Sequence, residues 1–338
     1  MKSIFIATVA LLLLSFSSCK RTISYDNFAG FIQGTTYSMV FENNGRINPQ
    51  ELKSEVEKIL HDFDMSLSLY VDSSILSKVN RNEDVIPDAY FLEAFKKSAE
   101  ITEMTDGAFD ITVGPLVKAW GFGPDSRKIF SETKRDSLLK LVGMDKVKIE
   151  NGKVIKTNPG INLDFNAIAQ GYSVDIICRF FTSKGIRNYL VEIGGEVRVK
   201  GDKHGVLWRI GIDRPEDNNN LPGNDLQAVI SLKDRSLATS GNYRKFYIEN
   251  GIKYSHTIDP KTGYPARNQL LSATVIADEC ATADGIATAC MVIGKDKTIE
   301  FLGLHPEYDA FLVYSDNSGN YKTWTTKNLK RFISESGN

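Results

Sequence analysis

Two Asn-Gly dipeptides restrict the architecture of this chain more than any other feature. In KIENGKVIK, Asn151-Gly152 separates two short alternating runs, and in KFYIENGIKYSHTI the device recurs at Asn250-Gly251. A tight two-residue turn needs positive φ at both central positions, which Asn-Gly tolerates best, so each dipeptide predicts a β-hairpin. Hairpins join antiparallel neighbours, and a strict alternation of strand and helix around a parallel sheet is thereby excluded.

Helical periodicity lies before, between and after these hairpins. Asn48, Pro49 and Glu51 read as N-cap, N1 and N3 of a helix with Leu52, Val56, Ile59, Leu60 and Phe63 on one face. A second helix follows Pro87, with Phe91, Leu92, Phe95 and Ala99 inward, and stops near Gly107. A third runs from about Ser131 to Leu141 and ends at Gly143. Between the hairpins a helix is expected from about Ala167 to Lys184, capped by Gly185, then the strand-like NYLVEIGGEVRVKG. After the second hairpin, LLSATVIA reads as a buried strand leading into a helix that carries ATADGIATAC and closes at Gly294. A helix near Lys297 to Leu302 and the strands DAFLVYS and NYKTWTT, turning at Ser318-Gly319, complete the chain. The segment EDNNNLPGND, residues 216 to 225, reads as a surface loop. The fold class expected is α+β: a mixed, largely antiparallel sheet with packed helices, in a single domain of one or two lobes.

The N-terminus sets the compartment. MKSIFIATVALLLLSFSSCKR has one lysine, an apolar run from Ile4 to Leu14, and small residues Ser17 and Ser18 before Cys19. The run is shorter than the roughly 20 residues a membrane span needs and has the plan of a secretory signal. Ser17-Ser18-Cys19 resembles a bacterial lipobox, with Phe16 in place of the usual leucine, so Cys19 is the expected lipidation site; an ordinary signal with an incidental cysteine is the alternative. The boundaries expected are 1–18 signal peptide, 19–30 tether and 31–335 folded domain. A lipid anchor of this kind places the domain on the periplasmic side of a bacterial membrane.

With 41 basic against 42 acidic residues, and no basic stripe, a nucleic-acid partner is excluded. Cys178, Cys280 and Cys290 stand in apolar helical contexts without metal-type spacing and read as buried thiols, not a disulfide framework.

Candidate chemistry starts from Asp284 and Thr288, which are i and i+4 on the expected helix and share a face one turn apart. Two hard oxygens so spaced can form half of a magnesium site completed by substrate phosphates. On spacing alone, a helix-end acid and a threonine bonded to its own turn are the plainer account. Several glycine-rich loops with polar residues accompany them: DGAFDITVGPLVKAWGFG, NLDFNAIAQGYSVD with Asp164 and Asn166 before a helix, VEIGGEVRVKG, LATSGNYRK, and YSHTIDPKTGYPA with His256, Asp259 and Lys261.

Taken in order with GTTYSM at 34 to 39, Tyr70 and the following DSSILSKVN, these motifs resemble the FAD:protein FMN transferase family, also called ApbE, from about Gly34 to Gly294. The resemblance implies an enzyme that takes FAD as substrate and uses Mg2+. A threonine hydroxyl of an acceptor protein attacks the FMN-side phosphorus, FMN becomes phosphoester-linked, and AMP leaves. It implies metal ligation by Asp284, Thr288 and the main-chain carbonyl of Ala167, with the carbonyl of Ala281 a further candidate. Flavin contacts are implied at Gln33, Tyr70, Ala108, Phe109, Asp110, Asp164 and Gln170, and around His256 and Thr257. Gln33 and Gln170 depart from the family's frequent choices, methionine at the first and lysine or glutamate at the second. Tyr70 and Phe109 can present ring faces to a flavin or adenine, although Phe109 serves equally as core, and Asp110 and Asp164 can accept from ring or ribose donors.

The catalytic residues expected are His256, as the base on the incoming hydroxyl, and Asp284, which could instead orient that hydroxyl. Arg244 and Lys245 are either phosphate contacts or a solvated strand end. No [Ser/Thr]-Gly-Ala-[Ser/Thr] acceptor pattern occurs in the chain, so the acceptor is expected to be another protein, an exported flavoprotein or a subunit of a membrane redox pump. Two other classes stay open here. A magnesium-dependent FAD pyrophosphatase would use the same residues with water as nucleophile, and a flavin-binding lipoprotein would dispense with the metal, against which the presence of both Asp284 and Thr288 counts.

Overall fold

The computed structural model describes residues 24–122, 131–216, 223–242, 246–249 and 252–335. The signal segment, Cys19, Gly123 of the WGFG turn, Asn250, Gly251, Arg244, Lys245 and most of the 216–225 segment lie outside the described residues.

Strand β1 (Tyr25–Ile32) pairs antiparallel with β2 (Thr35–Glu42) through the Gln33-Gly34 turn. The folded part therefore begins before residue 31, and residues 25–30, expected as tether, form an edge strand. Helix α1 (Pro49–Leu67) starts where Asn48 accepts from the N–H of Gln50, and it buries Leu52, Val56, Leu60 and Phe63. Helices α2 (Ile75–Asn80) and α3 (Ala89–Met104) follow, the latter capped by Asp88 through the N–H of Phe91. In α3 the inward stripe is Phe91, Ala94, Phe95, Ser98 and Ile101, and Leu92, expected inside, is 38% exposed at its edge. The three- and four-residue offsets of 91, 94, 98 and 101 define a face that position 92, about 100° round from 91, misses. Helices α4 (Gly114–Trp120) and α5 (Glu132–Leu139) lead to the hairpin β3 (Val147–Glu150) and β4 (Lys153–Lys156). There Asn151 and Gly152 take φ of 50° and 74°, as the turn chemistry requires.

Helix α6 (Ala169–Ser183) is followed by β5 (Tyr189–Ile193) and β6 (Glu196–Lys200), so NYLVEIGGEVRVKG is a hairpin around Gly194-Gly195. Strands β7 (Trp208–Asp213), β8 (Leu226–Leu232), β9 (Ser236–Gly241), β10 (Phe246–Glu249), β11 (Ile252–Ser255) and β12 (Leu270–Ala277) precede α7 (Cys280–Leu304). Helix α7 breaks at Gly294 (φ 78°, ψ 175°) before resuming toward Leu304. Strands β13 (Asp309–Ser315), β14 (Tyr321–Thr325) and β15 (Ile333–Glu335) close the chain.

The main sheet has eight strands in the order β1-β2-β5-β6-β9-β12-β13-β14, with every pairing antiparallel. One face carries helices. Ala273, Val275 and Ala277 of β12 meet Ala283, Ile286, Ala287 and Cys290 of α7, and α1 and α6 cover β1, β2 and β5. The other face of the central strands packs on a three-stranded sheet, β15-β8-β7, through Val197, Val199, Trp208, Ile210, Ile230, Leu237 and Phe311. Strand β12 is buried on both faces, which suits its small and apolar residues, broken only by the hydroxyls of Ser272 and Thr274. Cys178, Cys280 and Cys290 are buried free thiols, and among the described residues no helix is long and apolar enough to cross a membrane.

Candidate active site

Helices α6 and α7 cross at Gly171. A Cβ there would lie 2.5 Å from the carbonyl oxygen of Cys280 and 2.8 Å from Cβ of Asp284, so only glycine permits the approach. The contact brings the N–H of Gly171 to 3.0 Å from Oδ2 of Asp284. Asp284 is 6% exposed, and burial pushes its carboxyl up to about 7 against the pull of that single N–H. One turn on, the hydroxyl of Thr288 shares a 3.3 Å hydrogen bond with that of Ser240 on β9. Small residues on both sides, Ala283 and Ala287 on α7 and Ala238 on β9, pack in one cluster and let helix and strand close to this distance.

These groups open onto a cavity of about 1240 Å3. Its lining includes Gln33, Tyr70, Ala108, Phe109, Asp110, Asp164, Ala167, Gln170, His256, Thr257, Asp284 and Thr288, whereas Ala281, Asp259 and Lys261, also singled out from the sequence, are not part of it. They come from the β1–β2 turn, the segment after α1, the approach to α4, the entry to α6, the loop after β11 and the first turns of α7. A smaller hollow of about 300 Å3 beside the β3–β4 hairpin contains none of them.

Individual roles differ from the residue types alone. Tyr70 is 64% exposed at the cavity and free to cover a ring, but Phe109 is 2% exposed, in the core cluster with Phe91, Ile101 and Phe165. Its ring is packed in that cluster. Asp110 already has structural partners: Oδ1 accepts from the N–H and hydroxyl of Thr112, at 2.8 and 2.6 Å, and Oδ2 from the N–H of Met144 at 3.2 Å, which leaves Oδ2 room for one further donor. It caps the turn before α4, and burial raises its carboxyl against those bonds. Oδ1 of Asp164 accepts from the N–H of Asn166, shaping the entry to α6 beside the carbonyl of Ala167. Gln170 lies over Gly194, where a Cβ would come within 2.2 Å of its Nε2. Oε1 of Gln33, at φ 54°, accepts from Ser173 at 3.3 Å. Thr257 is buried, and half-buried His256 packs edge-on to Phe122 at 6.4 Å.

Several lining residues were not singled out from the sequence. Asp64, on α1, has its carboxyl raised by burial, with Gln33 and His61 lowering it. Ser240 stood in the LATSGNYRK motif, the one signal that could have found it. Glu192 and Glu196 stood in VEIGGEVRVKG, whereas Arg209, on β7, carries no local signature.

The donors suit a hard cation. Among the described residues no group of three His, Cys, Asp or Glu could hold a metal. A buried carboxylate whose desolvation is opposed by one N–H, with a hydroxyl one turn away, fits magnesium, which takes one or two carboxylates and completes its shell with phosphate and water.

The ApbE family matches residues 33–312 of this chain. A FAD:protein FMN transferase of Vibrio cholerae is 33% identical over 342 residues, covering 99% of this chain and 100% of the relative. One of Haemophilus influenzae is 36% identical over 300 residues, 85% of this chain and 86% of that one. Among solved structures, the flavin transferase ApbE from Vibrio cholerae superposes with a TM-score of 0.82 at 32% identity, covering 92% of this chain and 99% of that one. The apo flavinyl transferase ApbE of Pseudomonas stutzeri gives 0.82 at 31%, with 92% and 97% covered.

Proposed function

The chain belongs to the ApbE family, and from its membership we propose how it moves flavin from FAD to an acceptor protein: with magnesium, onto a threonine hydroxyl, at the cavity between α6 and α7. The transferase activity itself follows from the family. The observation that carries the finer reading is Asp284, a carboxylate buried on the wall of a large cavity with a single N–H to offset its desolvation.

In the step proposed, the acceptor oxygen forms a bond to the FMN-side phosphorus, the bond from that phosphorus to the bridging oxygen breaks, and AMP carries that oxygen away. His256 receives the hydroxyl proton, imidazole being the commonest base for this task. Asp284, Thr288 and the carbonyl of Ala167 would hold the metal, which, when bound, supplies charge neutralisation at the pyrophosphate. Gly171 fixes the carboxylate's orientation, and Ser240 fixes the hydroxyl of Thr288. Tyr70 covers the ligand from the solvent side, and Gln33, Gln170 and Asp164 border it. Main chain at Ala108 to Asp110 closes the apolar wall, where Phe109 excludes water.

The test is incubation of the purified domain with FAD, magnesium and an exported flavoprotein acceptor, reading fluorescence that stays with the denatured acceptor on a gel. Loss of that signal on chelation, and on replacing the acceptor threonine by valine, is expected. Free FMN and AMP without a labelled acceptor would instead indicate hydrolysis. For localisation, the apolar run and Ser17-Ser18-Cys19 support a lipid anchor on the periplasmic side; Cys19→Ser should shift the protein from membrane to soluble fractions, and retention at the membrane would refute it.

A further inference from the structure

Helix α7 begins without a cap of its own, since the side chain of Glu279 makes no capping hydrogen bond. The cap comes from α6. Asp175 is 1% exposed; its Oδ1 accepts from the N–H of Cys280 at 3.0 Å and its Oδ2 from the N–H of Ala281 at 2.9 Å. Arg198, on the helix-facing side of β6, is ion-paired to the same carboxylate through Nη1. An arginine pointing inward from a central strand is costly to keep unless paired, and here it is the counter-ion of the cap. Negative charge at a helix N-terminus is favourable, more so when buried.

The position of this cap has a consequence for the site. Gly171 and Asp175 are i and i+4 on α6, so one face of that helix holds α7 twice: at Asp284 through the N–H of Gly171, and at the first two amides through Asp175. Asp284 lies three residues beyond Ala281, about 4.5 Å along the axis. The carbonyl of Ala167 stands just ahead of α6. The three oxygens assigned to the metal therefore belong to α7 and to the entry of α6, two elements whose relative position depends on one carboxylate outside the metal shell.

We infer that Asp175, with Arg198 as its counter-ion, is a positioning residue for the metal site, setting the axial register of α7 against α6 so that Asp284 and Thr288 meet the carbonyl of Ala167. The inference rests on the magnesium reading above. A helix displaced by about 1 Å still folds but separates the donors, and misplacement of that size is enough to cost on the order of 100-fold in a positioned reaction.

Two variants separate position from charge. Asp175→Asn keeps the volume and loses one of the two accepted amide bonds, and Asp175→Glu keeps the charge but adds a methylene that pushes α7 away. Mn2+ is titrated by its EPR signal into the FAD-bound, acceptor-free protein, and amide hydrogen exchange of residues 279–288 is followed without metal. Both variants should bind Mn2+ at least tenfold more weakly and exchange the amides of Cys280 and Ala281 faster. Mn2+ affinity within twofold of wild type in both folded variants would overturn the inference, as would full affinity in the Glu variant alone, which would leave charge as the only requirement. Should neither fold, Arg198→Met, which keeps Asp175 but removes the counter-ion that holds it, should weaken Mn2+ binding at least threefold, and unchanged affinity would overturn the inference. If wild-type protein with FAD binds no Mn2+, the magnesium reading fails, whereas the exchange measurement still decides whether Asp175 holds the start of α7.

Discussion

Replacing Gly171 by alanine tests how tightly the site depends on the crossing of α6 and α7. The added Cβ would fall 2.5 Å from the carbonyl oxygen of Cys280, 2.7 Å from its carbonyl carbon and 2.8 Å from Cβ of Asp284. Ordinary contact begins near 3.4 Å, so the helices must part by about 1 Å. Two of the three atoms are backbone, and no rotamer change relieves them. Overpacking of this kind costs about 1–3 kcal/mol, which for a domain of this size lowers Tm by roughly 2–10 °C. The protein stays folded at 25 °C, because typical stabilities of about 5–15 kcal/mol exceed the cost. The same movement lengthens the 3.0 Å bond from the N–H of Gly171 to Asp284 and draws the carboxylate off the cavity wall, so covalent flavin transfer should fall by about 100-fold. Calorimetry and in-gel flavin fluorescence measure the two effects on one sample. Transfer within threefold of wild type despite a lowered Tm would show that the separation does not reach Asp284. An unchanged Tm would show that the helices are not in contact at this point.

Asp284→Asn can still accept from Gly171 and removes only the charge, so transfer should be lost at ordinary magnesium while metal-free Tm is unchanged or higher; retained activity would remove Asp284 from the metal site. His256→Ala should lower the transfer rate by about 10²–10⁴ with FAD affinity, read by flavin fluorescence quenching, unaltered, and an unchanged rate would remove it as base. Lys156 is held by the carbonyls of Val79 and Ile161, and burial pulls its ammonium down to about 8. A lysine with a folded pKa below its unfolded value is destabilising wherever both states are protonated, and that cost is relieved as pH rises from about 8 to 10.5, because the unfolded chain then binds more protons. Wild type should therefore gain Tm relative to Lys156→Met across that window, by an amount reduced by the half-exposed setting of the amine. A flat difference would mean that the two carbonyls hold the charged form as well as water does.

Much of the fold was legible because local chemistry decided it. Asn151-Gly152 supplied its turn, Asn48 its cap and Gly294 its break, each within a few residues of where backbone sterics require them. The i, i+4 relation of Asp284 and Thr288 needed only a helix, which the small and apolar run from Cys280 provides. Leu92 was misplaced because a stripe of five inward residues can be drawn two ways when an apolar side chain sits at its border. Phe109 and Asp110 show a different limit. An aromatic and an acid in a glycine-rich loop suit a ligand equally well as a core and a cap, and here one ring fills the space against Ile101 while one carboxylate holds Thr112 and Met144.

By itself, then, the sequence determined the antiparallel α+β class, the helix that presents Asp284 and Thr288, and the family whose motifs run through it in order, since each depends on spacing and turn chemistry along the chain. The tertiary structure alone decided which polar groups remain available to a ligand and what holds them in place. Asp175 reads in sequence as one more acid in a helix, and becomes the cap of α7 only because a glycine lets α6 approach to within bonding distance 105 residues away along the chain. Buried hydrogen bonds are assigned by the folded backbone, whose amides and carbonyls compete for every side chain brought near them, and that competition leaves no mark on local sequence.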